Sequence, residues 1–142
     1  MTLALDGRVM LPVADPDDAE RTAKALAPYL GSESTVVIVN VIEKGGGSID
    51  KAPIGRRKEY AEEMFERARA PLSEVETTLE TETFFGTDIV ETIFEQAESD
   101  EIDAVVFMPR KSNRLAELLT GSVARRMVKE ASVPVVTLPQ SP

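Results

Sequence analysis

The residues best placed to do chemistry in this chain are Gly121 and Ser122, which open a helix-forming run and follow Arg110, Lys111 and Arg114. At a helix start, free backbone amides and a hydroxyl can hold a phosphate, and nearby cationic side chains add attraction. The same pattern has a plainer reading in which Ser122 is an N-cap, Gly121 supplies a turn and the basic side chains are solvated. Other chemistry is sparse. The chain has no His and no Cys, which removes imidazole bases, thiol nucleophiles, thiolate metal sites and disulfides. No Ser has an evident base, and catalysis would need carboxylates or Lys that the sequence does not cluster. Neither an enzyme nor a metal site is expected.

Weaker signals resolve into structure. The GGG run at 45–47 follows a strand pattern but lacks the GK[ST] and immediate helix of a P-loop, so it reads as a flexible loop. The acids between Glu59 and Glu66 lie on a helix whose other face is apolar, as a solvated face does. Tyr60, Phe65, Phe84 and Phe94 read as core or interface, with no basic platform on which nucleic acid bases could stack.

The elements that must position these residues belong to an ordinary globular domain. Of 142 residues, 42% are hydrophobic and 29% charged, and the whole chain, 1–142, is expected to form one domain. At this length about two-thirds of the unfolded surface is buried on folding, enough for a core without metal or disulfide. The net charge of -9 disfavours general binding to nucleic acid or anionic membrane. Its distribution is uneven. Residues 59–101 hold 14 acidic and 2 basic side chains, whereas residues 102–142 hold 3 and 6. No apolar run approaches the roughly 20 residues of a membrane span, and the opening MTLALDGRVM lacks a basic end followed by a long apolar stretch. A cytoplasmic protein is expected.

Strand and helix patterns alternate along the chain. Arg8 to Val13 reads as a first strand, and Asp15-Pro16-Asp17-Asp18 as a helix start in which Asp15 caps and Pro16 takes the first position. Ala19, Ala23, Leu26 and Leu30 give that helix one apolar face, and Gly31 follows as a terminator. Thr35 to Ile42 is apolar at nearly every position, as a strand covered on both faces must be. A loop spans Glu43 to Pro53, then a helix Gly55 to Val75 with Tyr60, Met64, Ala68, Leu72 and Val75 in register and a kink or restart at Pro71. Thr77 to Phe85 alternates, with Leu79, Thr81 and Thr83 on one side and Glu80, Glu82 and Phe84 on the other, which predicts a strand near the sheet edge. Gly86 turns the chain, and Asp88 with Glu91 starts a helix carrying Ile89, Ile93 and Ala97. Ile102 to Met108 is a fourth strand, Leu115 to Leu119 a short helical piece, and Ser122 caps a helix bearing Val123, Met127 and Ala131. Val133 to Leu138 is the fifth strand.

This alternation calls for an α/β fold, an open parallel sheet with helices on both faces and right-handed crossovers. Pro134 lacks a ladder donor, which sends the fifth strand to an edge. An uncovered apolar edge such as VVTL recruits a second copy of the same strand, so a homodimer through the C-terminal strand is expected. Ligands of such sheets sit at the carboxyl ends of strands, where strand order reverses. The segments Val13 to Asp17 and Met108 to Ser122 lie there.

At these residues the chain resembles the universal stress protein family, over nearly its whole length. The matching pieces are VMLPV in the first strand, VNVIE closing the second, Gly86 before the third helix, and LLTGSVARRMVKEASVPVVTL at the end. The resemblance implies a five-stranded sheet in the order 3-2-1-4-5, single-domain and Rossmann-like, with its switch point between strands one and four. In nucleotide-binding members the loop after strand four reads GxxG, nine residues, then GS or GT. Counting back from Gly121 puts those first glycines at Met108 and Lys111. Glycine there lets the backbone approach phosphate closely, often with positive torsions, which Met and Lys disfavour. The aspartate that contacts adenosine in such members corresponds to Ala14, and Asp15 stands one residue late.

Val41, which would approach the adenine, and Gly121, Ser122 and Val123, at the phosphate end, remain; Arg110 or Lys111 could stand in for the missing backbone cradle. The resemblance, with its departures, implies a non-enzymatic, homodimeric stress-response or regulatory protein with lost or weakened nucleotide binding, no cofactor, and protein partners that the sequence does not name. The alternative is an ATP-binding member with slow or no hydrolysis.

Overall fold

The computed structural model describes residues 4–43, 54–109 and 121–139. Among the described residues nine principal elements alternate: β1 (Arg8–Pro12), α1 (Pro16–Leu26), β2 (Thr35–Glu43), α2 (Ile54–Leu72), β3 (Thr78–Gly86), α3 (Ile89–Ser99), β4 (Ala104–Phe107), α4 (Gly121–Lys129) and β5 (Val135–Thr137). The strands form one parallel sheet in the order β3-β2-β1-β4-β5. The chain starts in the middle, builds outward to β3, then returns past β1 to lay down β4 and β5. The order therefore reverses between β1 and β4, as expected.

Strand periodicity divides the core in two. Val9, Leu11, Val36 and Ile38 point to one face, where Ala19, Ala23 and Leu26 of α1 and Met64, Phe65 and Ala68 of α2 cover them. Met10, Val37, Val39, Val105 and Phe107 point to the other, under Val90, Ile93 and Phe94 of α3 and Met127 of α4. Both faces of the central strands are buried, which is why β2 reads as an unbroken apolar run. On β3 the expected alternation holds, with Leu79 packed on the first core and Phe84 on the second.

Element ends moved where backbone chemistry overrides periodicity. The α1 spiral does not run to Leu30: a 3-10 turn, Ala27–Tyr29, closes it around Pro28, whose ring cannot donate the next helical hydrogen bond. Pro71 lies in the last turn of α2, which stops at Leu72, short of the expected Val75. Tyr60 falls on the outer side of α2, 46% exposed, while Ala61 and Phe65 supply the buried face beside Met64 and Ala68. Gly86 ends β3, and a side chain there would collide with Thr92, whose hydroxyl donates to the Asp88 carbonyl at 2.7 Å. Strand β5 is shorter than the apolar run that predicted it, since Pro134 contributes only its carbonyl, accepting from Val105 N at 2.8 Å. The helical piece at 115–119 and the loop at 44–53 lie outside the described residues.

Candidate functional site

The carboxyl end of β1 is held by its neighbour strand. Val13 N donates to the Val39 carbonyl at 2.8 Å, and the Val13 carbonyl accepts from Asn40 Nδ2 at 3.0 Å. Asn40 is the single polar residue in the buried part of β2, and a buried amide must find partners. With both backbone groups of Val13 engaged, the chain leaves the sheet in a fixed direction. Ala14 then packs against the second core. The Asp15 backbone is extended, φ -149° and ψ 162°, and its carboxylate accepts from Asp18 N at 2.8 Å as the N-cap of α1. Asp17 and Asp18 occupy the first turn, where the positive end of the helix favours them. Burial, then the carboxylates of Asp15, Glu63 and Asp17, push the nearby Tyr60 phenol above its ordinary value. This end of the sheet is acidic.

Across the switch point, β4 ends into Met108, 2% exposed and packed in the first core. Its side chain is buried in the protein. Its backbone also differs from a glycine's habit: among the described residues Glu101 is the only non-glycine with positive φ. Arg110 and Lys111 lie outside the described residues. Gly121 and Ser122 are the first two residues of α4. Ser122 thus lies inside the helix rather than before it as a cap, and the residues ahead of Gly121 fall outside the described ones.

Of the remaining expected residues, Val41 and Val123 are half-buried and pack against the second core, as Ala14 does. Val41 sits opposite Phe84 in the β2–β3 ladder. Ala14, Val41 and Val123 thus lie against the same apolar core, on the face of the sheet that α3 and α4 cover.

Sequence reasoning missed the clamp that fixes α4. Arg126 reaches across to the N-cap of α3, with Nη2 3.2 and 3.1 Å from the two Asp88 oxygens, while its Nε bonds Glu130 at 2.7 Å. The Asp88 carboxylate also accepts from Glu91 N at 3.0 Å. That amide first, then Arg126, holds the Asp88 carboxyl below its usual range. The Arg125-Arg126 pair was legible as a basic helix, but only the fold brings Arg126 to Asp88. Among the described residues no group of three or more His, Cys, Asp or Glu side chains is placed to hold a metal, and no helix is long and apolar enough to cross a membrane.

A doubly covered parallel sheet whose strand order reverses between β1 and β4 defines an open α/β domain with its switch point at that reversal. The model of the Universal stress protein family matches residues 7–139, and the chain belongs to that family. A universal stress protein from Archaeoglobus fulgidus is similar at 22% identity, with 93% of each chain covered and a TM-score of 0.65; the Archaeoglobus fulgidus protein in complex with dAMP is 21% identical over 98% of this chain and 100% of that one, TM-score 0.65. A universal stress protein in complex with cAMP matches at 17% identity, 97% and 100% coverage and a TM-score of 0.63. At these identities the structures establish the fold. No curated protein matches the chain significantly.

Proposed function

We propose that this chain is a non-enzymatic, cytoplasmic, dimeric universal stress protein with lost or weakened nucleotide binding, acting in stress response or regulation through protein partners. One observation carries the reading. The residue just beyond β1 that packs against the second core is Ala14, and the carboxylate one position later caps α1. Without that carboxylate, and with three acids around the neighbouring helix start, a nucleotide polyphosphate meets repulsion where it needs a grip. The absence of His and Cys supports the non-enzymatic part.

A homodimer through β5 is supported by the exposed edge of that strand and the groove of about 610 Å³ beside it, lined by Val128, Val133, Pro134, Val135 and Thr137 among others. Val128 is 61% exposed, an apolar surface that a second copy would cover. Equilibrium sedimentation is expected to give a dimer that Val135→Lys shifts toward monomer.

The alternative, an ATP-binding member, draws on Ala14, Val41 and Val123, which share the second core, and on the dAMP and cAMP named with two similar structures. Calorimetric titration with ATP, ADP and AMP, with and without magnesium, separates the two. Heats that fail to saturate at millimolar ligand support the proposal. Micromolar affinity overturns it in favour of the alternative.

A further inference from the structure

The sheet has two edges, and they are unlike. Strand β5 offers 3 residues, whereas β3 offers 9, paired to β2 without interruption from Thr78 opposite Thr35 to Gly86 opposite Glu43. Thr78 N donates to the Ser34 carbonyl at 3.1 Å, so the backbone groups of Thr78, Glu80, Glu82 and Phe84 face β2. By the two-residue repeat of a strand, those of Leu79, Thr81 and Thr83 face outward. Among the described residues none of these three amides and carbonyls takes part in a hydrogen bond, and no residue of β3 is buried.

A long edge of this kind pairs with other strands unless something blunts it. The usual devices are missing: β3 has no Pro and no Lys, and its continuous register leaves no bulge. What it has is acid. Glu80 and Glu82 share the face that carries Phe84, and α2 and α3, which pack on β3 from either side, belong largely to the stretch 59–101 with its 14 acidic and 2 basic side chains. Both bases are engaged, Arg67 with Asp17 and Glu20 and Arg69 with Glu66. Arg8 answers Glu80 at 3.3 Å, but Glu82 has no cationic partner among the described residues. Such charge is selective. Glu set against Glu repels a second copy of β3, whereas the same carboxylates attract a strand that carries Lys or Arg at the facing positions.

We infer that the outer edge of β3 is a docking site for an extended, basic segment of a partner protein, which adds to the sheet beside Leu79, Thr81 and Thr83. Main-chain hydrogen bonds supply the affinity, and the acids choose the partner. The docking site gives the protein partner of the proposed function its chemistry and rests on that part of the reading alone, since it stands whether or not a nucleotide binds.

Amide NMR of the full chain, titrated with a short peptide that alternates Lys with Val, tests this. The Leu79, Thr81 and Thr83 amides are expected to shift with a common midpoint and to gain about tenfold or more in exchange protection, while the Glu80 and Glu82 amides, already bonded to β2, change less. A Glu–Val peptide of the same length should not bind. The Lys–Val peptide methylated at every backbone nitrogen, its charge kept but its ladder donors gone, should bind about tenfold more weakly. Thr81→Pro removes one outward donor, leaves the bonds to β2 in place and should weaken the unmethylated peptide about fivefold to tenfold; the peptide comparisons decide the matter without any altered protein. No binding at millimolar peptide, or binding that leaves these three amides unprotected, overturns the proposal. So does equal binding of the methylated or the Glu–Val peptide. Protection of these amides that rises with protein concentration alone would make the occupant a second copy and overturn it as well.

Discussion

Two helices begin at the switch point, α1 after β1 and α4 beyond β4, and their first turns are chemically opposite. Both ends present first-turn amides and the positive pole of a helix dipole. The α1 end is already answered, by Asp15 as cap and Asp17 and Asp18 in the first turn. The first turn of α4 holds no acid, and its basic residues Arg126 and Lys129 lie in the last turn. An anion arriving at this end of the sheet is repelled by one helix start and can be received by the other. In the function proposed above, a nucleotide would need both ends at once, and the acid one residue late, held in the α1 cap, breaks that cooperation at the β1 side.

The largest effect is expected from repairing that side. Ala14→Asp combined with Met108→Gly and Lys111→Gly restores a charge-assisted hydrogen bond of about 1.5–3 kcal/mol and frees the loop backbone. Nucleotide affinity should rise about tenfold to a hundredfold, measured by calorimetry. No gain would show that Ala14 is not what separates the two ends.

Asp88→Ala comes next, because it removes the cap of α3 and the partner of Arg126 together, and should cost about 1–2 kcal/mol in urea unfolding at neutral pH. The half-exposed ion pair contributes the smaller share. Since the Asp88 carboxyl is held below its usual range, this stability is present above the unfolded-state value and vanishes as the pH falls through the lowered folded one. The difference between variant and parent should close in acid.

Asp15→Ala should cost about 1 kcal/mol of stability yet leave nucleotide affinity unchanged, since its carboxylate serves the helix. A gain in affinity would mean that the acids at α1 are the main barrier. Smallest, and away from both helix starts, Glu101→Gly relieves the left-handed backbone after α3 and should stabilise the fold by about 0.5–1 kcal/mol, read as a shift in the urea midpoint.

Most of this architecture was legible in the chain. The Asp15-Pro16 and Asp88…Glu91 patterns marked two helix starts because capping is a local interaction between neighbours in sequence. Apolar runs marked the strands, and Pro134 marked the edge. What was not legible depends on residues far apart in the chain. Arg126 meets Asp88 across 38 residues and Arg8 meets Glu80 across 72, and neither spacing has a periodicity to read. Met108 was placed correctly at the end of β4, but the direction of its side chain follows from the sheet's pleat and from Val13 and Leu138 beside it in the first core. Asn40 did carry a signal, as the lone polar residue in VVIVNVI, and its bond to Val13 explains why the end of β1 is so firmly set.

The account rests on the claim that the two helix starts no longer act on one ligand. Amide chemical-shift titration with ATP and magnesium reads both at once, at residues 15–18 and 121–123. The account predicts no saturable shift at residues 15–18, and at 121–123 at most a weak response that inorganic phosphate reproduces. Saturable shifts at both ends with a shared micromolar midpoint would contradict it.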